Sequence, residues 1–108
     1  MALPAYQDYA VKAKFAGAIL SSQGARDTLG GYYQAKKTVP ESLEAAGIKV
    51  NPVNGTTLKL DTDNMALSVS TANGTLIFIP RVSEQGLVVW TCTKGDDVKA
   101  TQVPQSCK

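Results

Sequence analysis

The sequence predicts a single α+β domain, in which a long N-terminal α-helix packs on a four-stranded antiparallel β-sheet meander and a disulfide-bounded loop closes the chain. Three observations carry that prediction. Apolar residues recur at helical spacing through the first third, the second half switches to a period of two, and Cys92 and Cys107 bracket the final segment. At 108 residues there is room for one hydrophobic core and not a second.

The helix is read over Pro4–Tyr33. Val11, Phe15, Ala18, Ser22, Ala25, Leu29 and Tyr32 follow one another at steps of four and three, which lines them along one side of a helix. Lys12, Lys14, Gln23 and Asp27 fall mostly off that side, so it is the side expected to be buried. Pro4 suits the first turn, where its missing N–H is no loss, and Asp8 suits the positive end of the helix dipole as Lys36 and Lys37 suit the negative end. Gly17, Gly24, Gly30 and Gly31 each cost about 1 kcal/mol against alanine in a helix interior. Packing must therefore hold this helix, and Gly30-Gly31 is where it is expected to fray or end.

Residues 34–56 lose the periodicity and read as a long surface connection. Glu41 to Ala46 suits a helical turn, while Asn51-Pro52 and Asn54-Gly55 are turn signals. The sheet is then read over 57–92. Thr57 to Leu60 and Ala66 to Thr71 alternate polar and apolar, and Asp61 to Asn64 turns the chain between them. Asn73-Gly74 marks a tight hairpin into Thr75–Ile79. Pro80 ends that run or stands where no ladder donor is needed, and Gln85-Gly86 leads into Leu87–Cys92.

Composition excludes more than it assigns. Hydrophobic content of 44% and charged content of 19% are those of a folded chain, and a net charge of +2 is too small to argue by itself for a nucleic-acid or membrane partner. With no histidine, imidazole metal sites, histidine-based triads and histidine pH switching are excluded for this chain. Cys92 and Cys107 are too far apart for a CxxC redox pair and too few for structural zinc. Two readings stand, a pair of buried free thiols or a disulfide. The bridge is the favoured one; it would stabilise by about 3 kcal/mol and imply an oxidising compartment.

Pro4-Ala5-Tyr6-Gln7-Asp8-Tyr9 followed by basic residues, then Tyr32-Tyr33 and Pro40 before an irregular loop, resembles the type IV pilins. So does Trp90-Thr91-Cys92 with Pro104-Gln105-Ser106-Cys107-Lys108. The resemblance runs in order through the whole chain and is to the type IVa kind. It implies the pilin fold and a structural subunit of a bacterial surface filament serving adhesion, twitching motility or DNA uptake. No catalytic activity and no cofactor are implied. The alternative within the same resemblance is a minor pilin or pseudopilin at a filament tip, including one that binds DNA. Homo-oligomeric assembly and an inner-membrane stage are implied through an apolar helix half preceding Pro4. Met1-Ala2 reads as a cloning start, so a native precursor is expected to begin earlier, and the resemblance, in which this chain starts at the family's proline, implies a soluble head domain, monomeric in isolation. Pro4, Tyr6 and Tyr9 are then candidates for contact with neighbouring subunits. Lys94, Asp96, Asp97 and Lys99 are candidates for exposure on the loop closed by Cys92 and Cys107.

Other patterns have plainer readings. Asp61, Asp63 and Asn64 offer hard oxygen donors at calcium-like spacing, but the pattern breaks at Met65 and Ala66, and a polar hairpin turn is the better reading. Lys94, Lys99 and Lys108 suggest a DNA-binding patch that Asp96 and Asp97 nearly neutralise. Trp90 is read as core rather than a stacking platform. Asn54-Gly55-Thr56 and Asn73-Gly74-Thr75 fit the glycosylation pattern and are read as turns.

Overall fold

Helix α1 runs from Leu3 to Lys36, 34 residues, one residue earlier and three later than the sequence predicts. At 1.5 Å per residue it is about 51 Å long, nearly the 54 Å longest dimension of the molecule. A computed structural model of the chain describes residues 3–48 and 56–107, with side chains described from residue 10 onward. The turn signals Asn51-Pro52 and Asn54-Gly55 lie outside the described residues.

The expected stripe is the buried one. Phe15 and Leu29 are fully buried, Ala18, Ser22 and Ala25 nearly so, and Val11 and Tyr32 half-buried. Ser22 tolerates this position because its hydroxyl donates to the Ile19 carbonyl at 2.9 Å, so no polar group is left unpaired. Gly30-Gly31 does not end the helix. Gly30 is buried where a Cβ would touch Val88 Cβ at 3.4 Å and Trp90 Nε1 at 3.8 Å, so the close approach of helix and sheet offsets its low helix propensity. The helix stops at Lys37, which takes φ 61° and donates its N–H to the Tyr33 carbonyl at 2.7 Å. The following segment, read as a helical turn at Glu41 to Ala46, holds a 3-10 helix over Glu44–Ala46.

The sheet is a meander in the order β1-β2-β3-β4, with β1 Thr57–Leu60, β2 Leu67–Thr71, β3 Gly74–Val82 and β4 Val88–Lys94, all antiparallel. Leu67, Val69, Leu76 and Phe78 are buried on the helix side, with Leu58, Leu60, Trp90 and Cys92 packed against the core around them. Each large side chain so buried contributes about 1.5–3 kcal/mol relative to exposure.

Two details of the sheet depart from expectation. The β2-β3 turn is Ala72-Asn73, and Gly74 is already the first residue of β3, opposite Thr71. Pro80 does not end β3, which continues to Val82. The reason is positional: β2 pairs with β3 only as far as Phe78, whereas β4 pairs with it through Val82. Pro80 therefore stands where β3 has a neighbour on one side only. The N–H of Val88, opposite Val82, goes to Gln34 Oε1 at 3.0 Å rather than into the ladder. By the two-residue alternation Pro80 and Trp90 also face away from each other, and no donor is missed.

The core has two parts. One gathers Ala18, Ala25, Leu29, Leu43, Met65, Leu67, Val69 and Phe78 under the middle of the sheet. The other joins Phe15 and Leu76 to Val98, Val103 and Cys107 of the C-terminal segment.

Candidate display loop and assembly face

Cys92 and Cys107 are bonded to each other, with Cα atoms 4.6 Å apart. Cys92 is half-buried on β4, and Cys107 is fully buried in the 3-10 helix Gln105–Cys107. The enclosed segment is not an empty surface loop. Val98 and Val103 plug into the second core cluster beside Phe15 and Leu76, with a further 3-10 helix, Ala100–Gln102, between them.

Of the residues expected on this loop, Asp96 and Lys99 are exposed, and Lys99 precedes the 3-10 helix Ala100–Gln102. Lys94 is half-buried; it is the last residue of β4, opposite Leu76, and its place in the ladder withdraws it from the surface. Asp97 is exposed, but its carboxylate is engaged. Oδ1 accepts the Thr75 N–H at 3.0 Å and Oδ2 the Thr75 hydroxyl at 3.2 Å, while the Gly95 N–H donates to the Thr75 carbonyl at 2.8 Å. The chain leaves the ladder after Gly95, and Asp97 supplies the acceptor that the strand no longer provides. The local backbone requires glycine at 74: φ is +134°, and a Cβ there would overlap Val98 Cγ2. With Thr75 tied to Asp97, Asn73-Gly74-Thr75 is part of a hairpin and its clamp.

Pro4, Tyr6 and Tyr9 lie on the helical backbone of α1, ahead of Val11, the first described side chain packed against a core cluster; their own side chains are outside the described ones. Farther along, the side of α1 turned from the sheet is exposed at Ala13, Ala16, Leu20, Gly24, Asp27 and Gly31, and Leu20 is 70% exposed.

Arg26 is a feature the sequence reading missed. It sits one position past Ala25 and four past Ser22, at the border of the buried stripe, and that border position was the available signal. Its guanidinium lies 4.1 Å from the centroid of the Phe78 ring, and Nη2 donates to the Ile19 carbonyl at 2.8 Å. Nε is buried without a partner. Burial lowers the Arg26 pKa from its ordinary value, and neighbouring Asp27 pulls the other way. The Asp97 clamp was also missed, since it joins residues 22 apart and leaves no local pattern.

Asp61 and Asn64 build the β1-β2 turn, as the turn reading holds. Asp61 Oδ1 accepts the Asp63 N–H and Asn64 Oδ1 the Ala66 N–H, both at 2.9 Å. Met65, buried and at φ 62°, completes the bend. Among the described residues no three His, Cys, Asp or Glu side chains are grouped as a metal site would need. A recess of about 230 Å³ between the end of α1 and the sheet is lined by Tyr33, Val39, Met65, Pro80, Arg81 and Val88 among others. Trp90 packs against the main core cluster, in keeping with a structural role. No described helix is long and apolar enough to cross a membrane.

Comparison with curated proteins gives no match. A scan of family models matches residues 11–108 to the pilins, described as bacterial filament proteins, a structural rather than an enzymatic family. The match spans the helix from Val11 onward, the four-stranded sheet and the bridged C-terminal loop just described, and this chain belongs to the pilin family.

Proposed function

We propose that the chain is a structural subunit of a type IV pilus, assembling with copies of itself into surface filaments for adhesion, twitching motility or DNA uptake. One observation carries the reading: among the residues whose side chains are described, α1 is covered on one side only. Its sheet side buries Phe15, Ala18, Ser22, Ala25 and Leu29, while Ala13, Ala16, Leu20, Gly24, Asp27 and Gly31 are left uncovered on the other. Small residues let helices approach closely, and a lone exposed leucine among them suits a contact between subunits.

In this reading Pro4, Tyr6 and Tyr9 continue the helix toward an apolar rod shared by neighbouring subunits, which anchors the subunit in the inner membrane before assembly. Asp96 and Lys99 are displayed outward. Electron microscopy of cells from which the gene is deleted tests the proposal. The expected result is loss of the filaments and their return on complementation. Filaments of unchanged number and length would overturn it and favour a minor pilin or pseudopilin.

A further inference from the structure

We infer that the segment between Cys92 and Cys107 is held in two independent halves, so that cutting the bridge frees only the last turn and leaves the first half docked on β3. The inference concerns how the loop is held and does not depend on what the loop displays.

The first half has its own fastening. Asp97 takes both the N–H and the hydroxyl of Thr75, and Gly95 donates to the Thr75 carbonyl, so three hydrogen bonds fix residues 95–97 to the start of β3. Gly95 allows the approach, since a Cβ there would stand 2.9 Å from the Thr75 carbonyl oxygen. Val98 follows at once, 5% exposed, against the backbone of Gly74 and in the cluster of Phe15 and Leu76. The three hydrogen bonds and the contact of Val98 with Gly74 involve no sulfur, though Val98 shares its cluster with Cys107. Val103, fully buried, marks the end of the region seated in the core by an aliphatic side chain.

Beyond Val103 the attachments change. Pro104 is half-buried, Gln105 and Ser106 are exposed, and the backbone bond within the turn is the Cys107 N–H to the Pro104 carbonyl at 2.9 Å. The Cys107 side chain, joined to Cys92, is what seats this turn beside β4. Reduction by a dithiol breaks the Sγ–Sγ bond and leaves two thiols, the two electrons and two protons coming from the dithiol, which becomes a disulfide. That reaction removes the tether of residues 104–107 and leaves the three hydrogen bonds of residues 95–97 to Thr75 in place. The surface carrying Asp96 and Lys99 is therefore the same in oxidised and reduced protein.

Hydrogen exchange on the full chain tests this, comparing the parent with C92S/C107S and with D97A, in which the bridge is kept. In C92S/C107S, exchange at residue 107 is expected to rise about ten-fold or more relative to peptides over 74–76 and 95–98, which share only the change that follows from the global loss of stability. In D97A the pattern reverses, with faster exchange at Thr75 and Gly95 and none at Cys107. Exchange rising together across 95–107 in C92S/C107S, failure of that variant to fold, or unchanged Thr75 protection in D97A would each overturn the inference.

Discussion

Replacing glycine by alanine at two positions should shift stability in opposite directions, for reasons visible in the two environments. Gly24 is exposed in the middle of α1, and nothing lies within 4 Å of where its Cβ would sit. Gly24→Ala should stabilise by about 0.8–1 kcal/mol, the propensity difference in a helix interior. Gly74 is the opposite case. Its φ of +134° strains any side-chain-bearing residue by about 1–3 kcal/mol. The new Cβ would also overlap buried Val98 Cγ2 and stand 3.3 Å from the Asp97 carbonyl, an overpacking that costs about 1–3 kcal/mol more. Gly74→Ala should thus cost roughly 4 kcal/mol, a large share of the 5–15 kcal/mol of a typical domain. Urea unfolding followed by the fluorescence of Trp90, the single tryptophan, reads both. With a slope of about 1.5 kcal/mol/M, the midpoint should fall by about 2.7 M for G74A and rise by about 0.6 M for G24A, slopes unchanged. Val98→Ala relieves the overlap but not the backbone strain, so G74A/V98A should lose less than the sum of its parts. A G74A midpoint within about 0.5 M of the parent, or strict additivity with V98A, would refute this account of the hairpin.

Other substitutions probe other contacts. C92S/C107S should lower stability by about 3 kcal/mol, the loop-closure estimate for a 15-residue loop, as checked by calorimetry on oxidised parent and variant. Arg26→Met keeps an aliphatic stem over Phe78 and removes the unpartnered Nε, so it should stay within about 1 kcal/mol of the parent, whereas Arg26→Ala should lose about 2 kcal/mol of packing and cation–π contact in the same urea assay. Leu20→Ser, at a 70% exposed position, should change the stability of the free domain by no more than about 0.5 kcal/mol. The same change should reduce the filaments recovered from cells, measured by shearing and quantitative blotting, if the uncovered side of α1 meets other subunits.

Those contacts were legible in the sequence to different degrees. The buried stripe of α1 was readable because Phe15, Ala18, Ser22, Ala25 and Leu29 obey one period over about four turns, and the four strands because their alternation is bounded by turn residues. The limits of elements were less so. Gly30-Gly31 reads locally as an end, yet the sheet packs against Gly30, and Pro80 reads as a stop only until β2 is known to finish at Phe78. What holds the C-terminal loop was least legible. The spacing of Cys92 and Cys107 suggests a tether, but the Asp97–Thr75 clamp and the burial of Val98 and Val103 depend on where β3 begins in space. Arg26 shows the same limit, because a charged residue beside a buried stripe can point either way until the ring of Phe78 is placed.

The most direct test of the central claim, that copies of this chain build a filament around the uncovered side of α1, is helical reconstruction by electron cryo-microscopy of filaments sheared from cells that express it. The account predicts a repeating subunit whose density fits this chain, with Leu20 and Gly24 against a neighbouring copy and Asp96 and Lys99 on the outer surface. Filaments built of another protein, or of this one with Leu20 facing solvent, would contradict it.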